Sequence, residues 1–217
     1  MLNTLIFDLD LTLVDSLEAC HQATLLLSER FNLGPKTREE VLSAISLPTE
    51  EYWEKLYHRP VEPEWRSYFF SDILPRVDFN SPLYPETEEI LAFCKQKGLL
   101  LGVATNRDRP WLDLAKMKIA RFFDTAVGPD EGTRPKPDPD ILHEALRRLG
   151  VGPATSLFVG DSLTDMLAAK NAGIRALGLL QGGASEAELL EAGAWKVKPN
   201  VASLRDFVEN ALTSWNF

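Results

Sequence analysis

The chain has 217 residues, 45% of them hydrophobic, with 32 acidic and 23 basic side chains and a formal charge of −9. That length suits one large α/β domain, or a core with a small satellite, and it buries roughly 70% of the unfolded surface without covalent staples. The acidic balance disfavours nucleic-acid and anionic-membrane partners, no apolar run is long enough to span a bilayer, and two separated cysteines, Cys20 and Cys94, argue against disulfides and structural zinc.

The first strand pattern, residues 2–9 (LNTLIFDL), begins almost at Met1; nothing there resembles a signal peptide, so a cytoplasmic protein is expected. Helical patterns then run unbroken over residues 17–31, 37–45, 50–57 and 64–74, punctuated by Pro48, Pro60, Pro63, Pro75 and Pro82. Asp15 with Glu18, and Thr37 with Glu40, have the spacing of capping boxes. A helix with Pro85 in its first turn is ended by Gly98, and a strand pattern follows at 99–105. Pro110 opens another helix, residues 125–128 read as a strand, and Asp138 is the expected N-cap of a helix begun by Pro139. Strands follow at 156–160 and 176–180, with an edge piece at 195–197 and a last helix over 201–212. Strands this apolar are covered on both faces, as in a parallel sheet. The alternation predicts an α/β fold: a doubly wound, Rossmann-like parallel sheet formed by residues 1–15 and 84–217. The helical insert, residues 16–83, is expected to be a cap domain hinged near 14–17 and 80–85.

The strongest chemical signal is Asp8-Leu9-Asp10-Leu11-Thr12 at the end of the first strand. Side chains two apart on an extended chain share a face, and ligands of doubly wound folds bind beyond the carboxyl ends of the strands. Two carboxylates there repel each other unless a dication or a shared proton holds them. A lone DxD is ordinarily a helix-start acid cluster; here Gly160-Asp161-Ser162-Leu163-Thr164-Asp165 adds two acids at the same sheet edge. Ser162 with Asp165 matches a capping box, which accounts for Asp165 but not for Asp161. Magnesium takes one or two carboxylates and fills its remaining positions with water and phosphate oxygens, which suits Asp8 and Asp161, with Asp165 direct or one step removed. Thr105 and Asn106 end the second strand and offer a hydroxyl and an amide to phosphate, or simply form a turn. Lys136 stands between Pro135 and Pro137, which restrain the backbone and can aim an ammonium usually left in solvent. Arg107, Arg109 and Arg134 read as solvated loop arginines, and His21 and His58 receive no role.

FDLDLTLVDS, ATN, RPKPDPDIL and VGDSLTDMLAAKNAG, in that order, resemble the haloacid dehalogenase-like hydrolase superfamily over essentially the whole chain, closest to its phosphoglycolate phosphatase-like branch. The resemblance implies Asp8 as nucleophile, Asp10 as general acid and then base, Thr12 in support, and Thr105, Asn106 and Lys136 on the substrate phosphate. It further implies Mg2+ held by Asp8, the backbone carbonyl of Asp10, Asp161 and Asp165, and an aspartyl-phosphate intermediate. The implied substrate is a small phosphorylated metabolite, phosphoglycolate or sugar-phosphate-like; monomer and homodimer are equally compatible. Leu11 departs from the usual glycine, which implies a tighter turn and a stiffer cap hinge.

Within the superfamily, dehalogenases resemble this motif without its second acid, and sugar phosphomutases often have valine where this chain has Thr12. A phosphatase is therefore expected, with a phosphomutase and a catalytically silent binding protein on the same fold as alternatives. Tyr52, Trp53, Tyr57, Trp65, Tyr68, Phe69 and Phe70 are concentrated in the insert, where an aromatic cluster is more often the core of a helical unit than a specificity surface.

Overall fold

The computed structural model describes residues 1–77 and 81–215. Six strands, β1 (Thr4–Phe7), β2 (Leu100–Ala104), β3 (Thr125–Val127), β4 (Ser156–Gly160), β5 (Arg175–Leu179) and β6 (Lys196–Lys198), pair in the order β3-β2-β1-β4-β5-β6. Every pair is parallel, so the predicted α/β doubly wound sheet is the fold observed. The chain builds outward from β1 on one side, then returns to build outward from β4 on the other. This reversal puts the carboxyl ends of β1 and β4 side by side, with Phe7 in register with Val159.

Alternation along each strand divides the core. Leu5, Phe7, Leu101, Val103, Leu157 and Val159 face one layer, packed with Leu91, Cys94, Phe207 and Val208 from α5 (Thr87–Gln96) and α10 (Leu204–Ser214). Ile6, Ala104, Phe158 and Ala176 face the other, packed with Leu142, Ala145, Met166 and Ala169 from α7 (Asp140–Leu149) and α8 (Leu163–Ala172). Two shorter helices, α6 (Pro110–Lys116) and α9 (Glu186–Ala192), complete the layers.

Between β1 and α5 the described residues form helices α1 (Leu17–Phe31), α2 (Arg38–Leu42), α3 (Thr49–Tyr57) and α4 (Pro63–Tyr68), the last running into a π-helical turn at Phe69–Ile73. These carry their own apolar cluster around Leu27, Trp53, Trp65 and Ile73. Tyr57 meets Trp65 edge-on at 5.4 Å and Trp53 meets Phe69 at 5.2 Å, so much of the aromatic content is core. The chain leaves and re-enters the sheet layer along one seam: Asp15 N donates to Pro82 O at 2.9 Å, and Tyr84 N to Leu13 O at 3.0 Å. Of the expected hinge at 80–85, Asn80 lies outside the described residues. Among the described residues no helix is long and apolar enough to cross a membrane.

Three local expectations are corrected. The Thr37–Glu40 capping box forms, but Asp15 and Glu18 make none; Ser16 is the N-cap of α1 and its side chain accepts no cap bond. Pro139, not Asp138, occupies the N-cap of α7, and the Asp138 carboxylate pairs with Arg134 instead. Pro85 stands outside α5, separated from it by Glu86 in the left-handed region at φ 67°.

Candidate active site

The residues just past β1 and β4 meet at the reversal point. Asp8 extends the ladder by one bond, its N–H donating to Val159 O at 2.9 Å, and its side chain rises beside those of Asp161 and Asp165. One oxygen from each of these three carboxylates lies within 4.8 Å of the others, and all three residues are buried. Asp165 comes from the first turn of α8, where the Ser162 capping box forms as the spacing requires. Its Oδ2 accepts from Asp161 N at 3.2 Å, Ser162 N at 3.1 Å and Ser162 Oγ at 2.6 Å. Thr12 Oγ1 donates to Asp161 Oδ1 at 2.5 Å. Asp165 therefore serves both the helix cap and the acid cluster.

Lys136 reaches this group from the loop before α7. Only 2% exposed, its Nζ lies 2.7 Å from Asp8 Oδ1 and 2.6 Å from Asp165 Oδ1. The flanking prolines are not its sole restraint. Asn106 Oδ1 accepts from Lys136 N at 2.8 Å, and Asn106 Nδ2 donates to Lys136 O at 3.1 Å and Ser46 O at 3.3 Å. Asn106 thus braces the lysine loop and ties it to the helical insert, with both amide hydrogens engaged. Thr105 is buried and its Oγ1 accepts from Arg107 N at 3.3 Å, which leaves the hydroxyl hydrogen directed elsewhere.

Asp10, two residues beyond Asp8, is held by an arginine that looked like a solvated loop residue. Arg107 Nε donates to Asp10 Oδ2 at 2.7 Å and Nη2 to Oδ1 at 2.5 Å, while Nη1 reaches Asp113 Oδ2 at 3.2 Å. The Arg107 side chain is 13% exposed. That reading is corrected: desolvation of a guanidinium is tolerated because two carboxylates face it. Its position directly after Thr105-Asn106, at the end of a central strand, was the available signal. Arg134, by contrast, does sit in solvent, paired with Asp138 and Asp140.

Two glycines make room for the acids. A Cβ on Gly182 would lie 1.8 Å from Asp161 Oδ2, and one on Gly160 would lie 2.6 Å from the Asp165 carboxyl. Leu11 adopts the left-handed conformation at φ 53°, which explains why glycine is at home there. Gln181 spans the gap, donating to Thr12 O at 3.2 Å and accepting from Val201 N at 2.6 Å. Neither Gln181 nor Gly182 was singled out in the sequence, because a glycine pair in a loop carries no local chemical signature.

Charge decides what this group holds. Burial pushes the Asp8 carboxyl up to about 7, helped by the charges of Asp165 and Asp10 and opposed by Lys136. Burial first, then Asp165 and Asp8, drives Asp161 well above the usual carboxylate range. Burial also acts to raise Asp10, but the Arg107 charge and its hydrogen bonds outweigh it and the net shift is downward. Among the described residues Lys136 is the cation in ion-pair contact with the three-acid group, so negative charge remains in excess. Asp8 Oδ1, although 2.7 Å from Lys136 Nζ, receives no aligned hydrogen bond. An all-oxygen donor set with surplus negative charge and an underused carboxylate oxygen suits a hard dication.

The sign of the linkage is definite. A carboxyl raised from 3.8 unfolded to about 7 folded stabilises the fold while protonated, and that contribution is lost as pH rises from about 4 through 7. Chelator-treated protein is therefore expected to unfold at lower denaturant at pH 8 than at pH 5. Comparing urea midpoints at the two pH values checks this, and a dication should diminish the difference.

The parallel doubly wound sheet with acids gathered at its reversal point places a carboxylate site where sheets of this kind bind their ligands. Residues 5–179 match the family model described as "Haloacid dehalogenase-like hydrolase", and the chain belongs to that family. It is 33% identical over 177 residues to the pyrophosphatase PpaX of Bacillus velezensis, covering 81% of this chain and 82% of that one. It is 39% identical over 102 residues to the phosphoglycolate phosphatase of Escherichia coli strain K12, covering 46% of this chain and 40% of that protein. A hydrolase from Pseudomonas syringae superposes with a TM-score of 0.83 at 25% identity, covering 96% of this chain and 98% of the other. The likeness to the phosphoglycolate phosphatase-like branch therefore holds.

Proposed function

We propose that the chain is a magnesium-dependent phosphatase of small phosphorylated metabolites in the cytoplasm, working through an aspartyl-phosphate on Asp8. The supporting observation is the approach of the Asp8, Asp161 and Asp165 carboxylates to within 4.8 Å of one another around the buried Lys136 ammonium. Asp8, Asp161, Asp165 and the Asp10 carbonyl would hold the ion, which when bound supplies positive charge that offsets the repulsion between Asp8 and an anionic phosphate.

In this account an Asp8 oxygen attacks phosphorus and the bond to the leaving oxygen breaks, with the Asp10 proton passing to the departing alcohol. Asp10, now ionised, takes a proton from water as the water oxygen attacks phosphorus. The Asp8–phosphorus bond breaks, inorganic phosphate leaves, and Asp10 is protonated again. Lys136 fixes Asp8 and neutralises the phosphate oxygens, Thr105 contributes a hydroxyl to them, and Thr12 positions Asp161. Asn106 acts through the backbone of Lys136. Residues 16–83 act as the cap, touching the rim through Ser46 O, to which both Asn106 Nδ2 and Thr164 Oγ1 donate.

Phosphate release should require added Mg2+ and fall to background in chelator across a panel of phosphorylated metabolites. Hydrolysis that persists undiminished in chelator sinks the proposal, and isomer formation without phosphate release on sugar phosphates favours the mutase reading.

A further inference from the structure

The ion pair between Arg107 and Asp10 conflicts with the proposed use of Asp10. A residue that must hand a proton to the leaving oxygen has both its oxygens taken by one guanidinium, at 2.7 and 2.5 Å. The contact uses the Nε and Nη2 edge of the fork, which is the edge that recognises carboxylates and phosphates two bonds at a time. Both partners face the same space. Asp10, Arg107 and Asp113 all line a cavity of about 840 Å³ between the sheet rim and the helical insert, with Arg109 and Lys116 nearby. Arg107 O packs closely over Gly128, where an added Cβ would come within 2.3 Å of it.

The cavity has no surplus of positive charge: Arg76, Arg107, Arg109 and Lys116 are matched by Asp10, Asp108, Asp113 and Asp130. A diffuse field therefore does not select anions there. Selection has to come from direct contact, and the bidentate edge of Arg107 becomes available to a ligand only by exchange with Asp10.

We infer that Arg107 is an interlock. In the resting protein it restrains Asp10, and a second anionic group on the leaving side of the substrate takes over the fork and frees Asp10 for proton transfer. This rests on the phosphatase reading above and deepens it: the preferred substrates are phosphate monoesters carrying a carboxylate or second phosphate next to the scissile group. Esters with an uncharged leaving group bind without unlocking Asp10. Arg107 is thus a specificity-determining residue for the substrate's far end and a positioning residue for Asp10.

The test pairs binding with turnover. Calorimetric titration of the Mg2+-loaded protein compares 3-phosphonopropanoate, which carries a carboxylate, with propylphosphonate, which does not; neither is hydrolysed. The wild type should prefer the former by at least about tenfold, as a bidentate charge-assisted contact provides. Arg107→Ala should bring the ratio to about one, and Arg107→Lys, which keeps charge but not the fork, should fall between them. In turnover, Arg107→Ala should hydrolyse n-propyl phosphate, whose leaving alkoxide needs a proton, with a higher kcat than wild type, because Asp10 is no longer restrained. A ratio near one in the wild type, a preference that survives in Arg107→Ala, or a lower kcat in that variant overturns the interlock. Absence of turnover on any ester by the wild type, with the binding ratio intact, counts against the phosphatase reading and not against the recognition of a second anion by Arg107. A titration arm with ethane-1,2-diphosphonate, likewise not hydrolysed, separates a second phosphate-like group from a carboxylate as the better key.

Discussion

Replacing Asp8 with asparagine is expected to lower phosphate release by at least about 10⁴-fold, because the amide cannot form the acyl phosphate. The same substitution should leave the metal-free protein at least as stable as wild type. Asp8 is one of three clustered buried carboxylates, two of which contact the same ammonium, and its anion is disfavoured by burial and by Asp165. Asparagine removes one of the repelling charges while Lys136 keeps its 2.6 Å partner, Asp165 Oδ1. Activity and thermal midpoint should therefore move in opposite directions or independently. A variant that loses activity only because it unfolds would contradict the placement of Asp8.

Replacing Lys136 with methionine should have the opposite effect on stability. Lys136 is 2% exposed and contacts two carboxylates, one of them wholly buried. Removing one partner of a buried ion pair leaves uncompensated charge and costs about 3–5 kcal/mol, far more than an exposed pair contributes. Urea unfolding in chelator at pH 8 checks the figure. Adding Asp165→Asn to Lys136→Met should restore part of the loss, since the two residues share the deficit. Activity should fall by roughly 10²–10³-fold in the single variant, the scale expected for losing one preorganised charge at a phosphoryl site. A stable, fully active Lys136→Met protein would show that the lysine is a bystander.

Much of the sheet was legible because parallel strands buried on both faces leave long apolar runs. SLFVG at Ser156–Gly160 and the helix at Leu17–Phe31 were read with the bounds they have. The four acids were legible because strand ends at a reversal point are where a doubly wound fold presents side chains, and four motifs in order left little room for coincidence. What escaped depended on long-range partners. Arg107 carries nothing local to distinguish a solvated arginine from one clamped between Asp10 and Asp113, residues 97 positions upstream and six downstream. Asp138 has good N-cap chemistry, but it stands one residue before the N-cap and its carboxylate pairs with Arg134. The helical pattern at 64–74 is real, yet it hides a change to π-helical bonding after Tyr68, where Leu74 N donates to Phe69 O at 2.8 Å. Hydrophobic periodicity cannot register a one-residue shift in the hydrogen-bond ladder. Of the aromatic residues of the insert, Trp53 and Trp65 are buried in its core with Tyr52, Tyr57, Tyr68 and Phe69 packed against them, while Tyr52, Trp53, Phe69 and Phe70 line the cavity.

In the proposed mechanism one divalent ion resolves the surplus negative charge among Asp8, Asp161 and Asp165. Calorimetric titration of metal-stripped protein with Mg2+, alongside Asp161→Asn, measures this directly. One ion should bind per chain, and the substitution should weaken it by about 10–100-fold or more, as loss of a ligand or its orienting partner does. Failure of the wild type to bind Mg2+, or equal affinity in Asp161→Asn, would contradict it.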